Sequence, residues 1–240
     1  MKKFWEVKQS ANTKEADISI YGEIVSYKWD DTDTTAASFQ KDLKALGDIE
    51  QINLHVNSPG GSVFEGIAIG NMLKQHKATV VAHVDALAAS IASVIVASAD
   101  KVVMPENSML MIHNPWTYSV GNAKALRKQA DDLDKIAESS VITYLSKGGD
   151  KLSEAKIKQI MDEETWLSAV EALEIGLCDE VSETVQIAAC VSKGLFQKYN
   201  NVPKEFESTT QSLNEEKARQ KMIEEAKQNN ALIGAIIGGL

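Results

Sequence analysis

A chain of 240 residues with 44% apolar content has enough material for a buried core, as one large domain or two small ones. Its formal net charge of −9 and pI near 5.0 leave no basic face for nucleic acid or an anionic membrane. No apolar run approaches the ~20 residues of a membrane span, and no apolar h-region follows Met1-Lys2-Lys3, so no secretory signal is expected.

In chain order, residues 17–25 (DISIYGEIV) alternate loosely and predict a first strand, followed by a polar loop containing Trp29. Residues 35–46 have helical spacing, with Phe39, Leu43 and Leu46 on one stripe. QINLHV (51–56) is a strand that Asn57-Ser58-Pro59-Gly60-Gly61 ends sharply. Residues 63–74 form an amphipathic helix, 78–84 a strand, and 88–99 a helix of small and β-branched residues. That last helix is apolar nearly all round, so it is expected to be buried. Short strands at 101–104 and 109–112 bracket the turn Pro105-Glu106-Asn107. Strand and helix patterns alternate, which indicates an α/β fold with largely parallel pairing.

Residues 122–146 form one long, highly charged helix pattern, either a solvated face or an arm that interlocks with a partner subunit. Ser153 caps a short helix to Met161, Ser168 caps another over 169–174, and Gly176 stands where a C-cap glycine belongs. Cys178 and Cys190 have neither a disulfide-framework pattern nor a zinc spacing, which fits a reducing cytoplasm. Beyond about Gly194 the composition changes. Residues 200–228 are polar and charged, predicting a flexible tail that ends in the apolar ALIGAIIGGL. The expected division is a domain over 1–194 and a tail over 195–240. No metal or cofactor is expected.

Three features point to nucleophilic chemistry. A serine attacks a carbonyl only if a base takes its proton and nearby donors hold the oxyanion. Ser90 follows Ala88-Ala89 at the first turn of the predicted buried helix, where orphan N–H groups, Ile91's among them, lie beside the hydroxyl. The Gly60-Gly61 turn can aim backbone N–H groups outward, and the segment after it, Ser62 and Val63, reads as a strand edge able to pair with an extended peptide. Of four histidines, His55 and His83 lie within strands and His76 ends a lysine-flanked helix. His113 ends an apolar strand before Asn114-Pro115, at a sheet end where α/β sites form. Each feature alone also has an ordinary structural reading: a packing serine, a βα turn, a core histidine.

NSPGG, AAS thirty residues after Gly60, and MIHNP together resemble the Clp protease proteolytic subunit family, whose patterns are NSPGG, GxAAS and MIHQP. The likeness continues through LSAVEALEIGLCDE (167–180) and covers about 18–181. It implies a serine peptidase of crotonase-like fold, a spiral of ββα units, in which the helix at 122–146 is a protruding handle between stacked rings. By this resemblance Ser90 is the nucleophile and His113 the base. The N–H groups of Gly60 or Gly61 and of Ile91 form the oxyanion hole. Two alignments place the acid. Anchoring on Ser168-Ala169 gives Glu164, the preferred residue, and counting without gaps from His113 gives Asp162; either carboxylate type can hold the imidazole tautomer. Two departures, Ala86 for the family's glycine before AAS and Ile91-Ala92 for Met-Gly, remove no backbone donor.

The details YGEI, SPGGSVFEG, MPENSML, IHNP and ETW are similar to the phage and prophage branch, the Clp-like prohead proteases. That branch implies cleavage of capsid or scaffold proteins in a host cytoplasm. The competing expectations are a housekeeping subunit fed by an ATP-driven unfoldase and a catalytically silent ring-forming scaffold.

Overall fold

The computed structural model describes residues 3–9, 14–26, 35–183, 199 and 201–202. The chain divides into two units, Met1–Ala189 and Cys190–Leu240. The architecture below belongs to the first. The Trp29 loop, Cys190 and all of the expected flexible tail except Tyr199, Asn201 and Val202 lie outside the described residues.

The elements run β1 (Trp5–Gln9), β2 (Glu15–Tyr21), α1 (Ala36–Ala45), β3 (Gln51–Ser58), α2 (Val63–Lys74), β4 (Thr79–Ala89) and α3 (Ile91–Ala97). There follow β5 (Lys101–Pro105), β6 (Met109–Ile112), α4 (Ala123–Gly148), α5 (Glu154–Asp162), β7 (Thr165–Ser168), α6 (Ala169–Glu174) and β8 (Glu180–Ser182). The described strands form one mixed sheet in the order β1-β2-β3-β4-β5-β8, with β6 leaving the path at β4 and carrying β7. β1–β2 and β6–β7 are antiparallel and the other pairings parallel. The α/β expectation with largely parallel pairing therefore holds.

Period-2 alternation decides which face is core. Ile18, Ile20, Ile52, Leu54, Val56, Val80, Ala82 and Val84 are buried to 1% exposure or less, in one cluster with Phe39, Ile69 and Ile95 of the helices. Each such Ile, Leu or Val contributes roughly 1.5–3 kcal/mol relative to leaving it exposed. The alternate residues Asn53, His55, Val81 and His83 are only half-buried. On that opposite face the His55 and His83 rings stack at 5.0 Å, His55 Nδ1 lies 3.1 Å from Asp85 Oδ1, and the Tyr21 hydroxyl donates to Asp85. These histidines thus belong to a polar face of the sheet, away from Ser90.

β1 is not legible as a strand, because only Trp5 of its WEVKQ run is buried. It is nevertheless paired along its length with β2, and Trp5 Nε1 donates to Asp42 at 2.9 Å. The helix expected over 88–99 is corrected: Ala88 and Ala89 are the last residues of β4, and α3 starts at Ile91. Small residues fit strand or helix equally, so periodicity does not mark this boundary.

β4 is the strand on which the site depends. Its first half pairs with β5 (Val81–Lys101 to His83–Val103) and its second half with β6 (Leu87–Met109 to Ala89–Met111). A register shift between Val56 and Ser58 on β3 accompanies this divergence. α4 is capped by Asn122, whose side chain accepts from the Ala125 N–H at 3.0 Å. Its first half stands in solvent, with Leu126 43% exposed, and its buried residues are confined to the end: Ser140, Val141, Tyr144 and Gly148.

Candidate active site

Three strand ends converge on Ser90. β4 delivers it directly, and its N–H donates to Met111 O on β6 at 2.8 Å, fixing the two strands side by side at this level. Two residues later along β6's direction comes His113. β6 and β7 are antiparallel with Ile112 opposite Thr165, so the next rung sets His113 opposite Glu164. A serine, a histidine and a carboxylate thus arrive from residues far apart in sequence through backbone pairing alone.

The geometry follows that register. His113 Nε2 lies 2.8 Å from Ser90 Oγ, a hydrogen-bond distance. On the other side of the ring, His113 Nδ1 is 3.9 Å from Glu164 Oε2, with the two side chains only 8% and 11% exposed. That separation lies within the range where a carboxylate favours an imidazolium. Burial nevertheless holds His113 below its ordinary pKa of 6.5, with Glu164 opposing the shift. The imidazole is therefore neutral at neutral pH, as a proton acceptor must be.

Both ends of this constellation carry unusual backbone. Among the described non-glycine residues, positive φ occurs at Ser90 (56°) and Glu164 (48°). An L-residue in such a conformation costs on the order of 1–3 kcal/mol and persists only where its surroundings enforce it. At Ser90, with ψ −131°, the chain turns sharply from β4 into α3. At Glu164 it follows the end of α5, with the Glu164 N–H donating to Met161 O at 3.3 Å before the chain turns into β7.

Asp162, the alternative acid, sits elsewhere. It is the last residue of α5, and its Oδ1 accepts from Asn114 Nδ2 at 2.7 Å. α5 ends in a turn, with Glu163 at the cap and Glu164 beyond it before β7 begins, and this places Glu164 rather than Asp162 beside His113.

Gly60 lies against the serine. A Cβ there would stand 2.7 Å from both Ala89 O and Ser90 Cβ and 3.1 Å from Ile91 N, at φ +86°. Its N–H donates to Ser58 Oγ at 3.1 Å, and Ser58 Oγ in turn donates to Gly22 O at 2.7 Å, so a buried serine fastens the turn. Gly61, at φ +146°, forms a bridge with Ile24 so close that a Cβ would be 2.0 Å from Ile24 O. Ile91 opens α3, where the first N–H groups have no intrahelical acceptor. Ser62 and Val63, expected as a strand edge, lie outside the strands. The Ser62 N–H donates to Ile24 O at 2.8 Å, its carbonyl accepts from the Gly66 N–H, and Val63 is already the first residue of α2.

Sequence reasoning missed Ser58, Ser93 and Tyr144 around this site. Ser93, one helical turn beyond Ser90, had a positional signal in its i, i+3 spacing; Tyr144, fifty-one residues further on, had none. Among the described residues, no three His, Cys, Asp or Glu side chains converge as a metal-binding group, and no helix is long and apolar enough to cross a membrane.

The profile of the family described as Clp protease matches residues 7–185. The ATP-dependent Clp protease proteolytic subunit 1 of Protochlamydia amoebophila is 36% identical over 130 residues, covering 52% of this chain and 62% of the relative. The ATP-dependent Clp protease proteolytic subunit of Chlorella vulgaris is 34% identical over 132 residues, covering 54% and 64%. That of Bacteroides fragilis is 30% identical over 155 residues, covering 62% and 73%. The first two alignments thus span less than two thirds of those relatives' length. With the profile running through nearly all of the described domain, the chain belongs to the Clp protease family.

Proposed function

We propose that this chain is a serine endopeptidase of the Clp type, in which Ser90, His113 and Glu164 act as nucleophile, base and orienting acid. Ser90 Oγ attacks the scissile carbonyl carbon while His113 Nε2 takes its proton. The C–N bond then breaks as His113 returns that proton to the leaving amine, and water releases the acyl group by the same steps. Glu164 holds the imidazole tautomer and offsets the positive charge that develops on it. Ile91 and the Gly60-Gly61 turn supply the oxyanion donors. The Gly60 N–H would exchange its neutral bond to Ser58 for a stronger one to an anion.

The observation that carries this reading is the 2.8 Å contact between Ser90 Oγ and a buried, neutral His113. The test is peptide hydrolysis by wild type beside Ser90→Ala, with an expected loss of several orders of magnitude in kcat, on the order of 10⁴–10⁶. Equal rates would refute it. A silent scaffold has no use for a buried acceptor aligned on a strained serine, so that alternative is disfavoured.

We further propose that the subunits assemble into stacked rings. Support comes from the exposed first half of α4, 26 residues long in all, and from the half-buried polar face of β2–β4, since parallel sheets are ordinarily covered on both faces. For substrates, the phage-like details YGEI, SPGGSVFEG, MPENSML, IHNP and ETW favour proteins of a capsid precursor in a host cytoplasm. The "ATP-dependent" of the relatives' names supports a second reading, in which an ATP-driven unfoldase feeds the chamber. Neighbouring genes separate the two: portal and capsid genes favour the first, an unfoldase gene the second.

A further inference from the structure

The strained carbonyl of Ser90 is held from below by a buried polar chain that reaches α4. Ser90 O accepts from the Ser93 N–H at 3.0 Å and from the Ser93 hydroxyl at 2.6 Å. Ser93 Oγ also lies 2.7 Å from the hydroxyl of Tyr144. Ser93 is 1% exposed and Tyr144 2%. A proton inventory fixes the direction of this chain. A carbonyl only accepts, and a serine hydroxyl has one hydrogen, which Ser93 gives to Ser90 O. The Tyr144 hydroxyl must therefore donate to Ser93. Two donations run in series from α4 to the nucleophile's own backbone, and such chains strengthen one another.

The Ser90 backbone needs such support. With φ 56° and ψ −131° it lies outside the regions an L-residue prefers, and a relaxation there would swing Oγ away from His113 Nε2. A catalytic group displaced by about 1 Å can lose on the order of 10²-fold in rate. Ser93 alone, on a seven-residue helix of small and branched residues, has its hydroxyl free to rotate unless something fixes it. Tyr144 supplies that fixation from a long helix whose end is packed into the core. Burial also holds the Tyr144 phenol above its ordinary pKa, with the Ser93 contact opposing in part, so the donor keeps its proton throughout the range in which His113 works.

We propose that Tyr144, acting through Ser93, is a positioning residue for Ser90: its hydroxyl locks the Ser93 rotamer that pins the Ser90 carbonyl and thereby keeps Oγ on the His113 axis. This rests on Ser90 being the nucleophile, and the two ideas separate experimentally. The probe is a fluorophosphonate, with labelling rate and site read by mass spectrometry on the full chain, alongside kcat and KM for a peptide. Tyr144→Phe keeps the ring and its packing but removes the donor. It is expected to slow labelling and lower kcat about fivefold, the effect of one lost neutral hydrogen bond, with KM and the pH midpoint unchanged. Ser93→Ala should slow both at least as much, and the double variant no more than Ser93→Ala, because the two act on one chain.

Val141→Ala, on the same buried end of α4, serves as the packing control: it should lower the melting temperature and leave the labelling rate alone. A wild-type rate in Tyr144→Phe, or an equal slowing in Val141→Ala, would overturn the proposal. Should Tyr144→Phe fail to fold by circular dichroism, Ser93→Ala reads the same link, and a wild-type rate there overturns it equally. Wild-type protein that is not labelled at Ser90 removes the nucleophile reading itself, and this proposal with it.

Discussion

Among the single side chains, His113 responds most directly to conditions. Burial disfavours its charged form and Glu164 only partly compensates, so its folded pKa lies below 6.5. The acid limb of kcat/KM is therefore expected below pH 6.5, because the free enzyme loses its base only when the imidazole is finally protonated. Stability follows with the same sign. The unfolded chain takes up a proton near 6.5 while the folded one resists it, so the contribution present above that pH is lost as pH falls toward the folded value. Glu164→Gln removes the opposing charge and the orienting carboxylate together. It should move the limb further into acid and lower the plateau by roughly 10²–10⁴, whereas Asp162→Asn should stay near wild type; a loss confined to Asp162→Asn would reverse the assignment. That Ser90 and His113 come together was legible in sequence because each stands in a short contiguous signature. Which carboxylate lies beside His113 was not, since the choice between 162 and 164 depends on where α5 ends and on the register of β7 against β6, which no local pattern encodes.

The elements show the same division between local and distant information. α2, α6 and β6 fall on the expected boundaries, because capping residues and hydrophobic spacing act within a few positions. The join of β4 to α3 did not, since Ala-Ala-Ser fits either state and only the turn at Ser90 separates them. Ser62 and Val63 start a helix rather than continue a strand for a related reason. The glycines before them suggested a free edge, but Ile24, from a distant loop, already occupies it. The turn itself gives a sharp test. Gly60→Ala would drive a Cβ to 2.7 Å from Ala89 O and Ser90 Cβ in a backbone conformation costly for alanine. Since backbone on both sides must move, activity is expected to fall at least about tenfold, with a lower melting temperature. Full activity in Gly60→Ala would show that this approach is not what sets the nucleophile's position.

For the whole molecule, the largely parallel α/β sheet was readable from the alternation of strand and helix patterns, while its divergence at β4 was not, because strand order depends on contacts between distant segments. The long helix was readable in extent, 122–146 against Ala123–Gly148, yet only its last turns find cover within the subunit. A ring assembly should therefore appear in light scattering of purified protein at micromolar concentration, and a monomer mass would exclude it. The central claim remains chemical: a serine at the strained end of β4, facing a buried neutral histidine, is a nucleophile. Fluorophosphonate labelling of the full chain at pH 7.5, with peptide mapping by mass spectrometry, tests it most directly. The account requires one modified serine, Ser90, with labelling lost in His113→Ala. Modification of a different serine with Ser90 untouched, or labelling at an undiminished rate in His113→Ala, would contradict it.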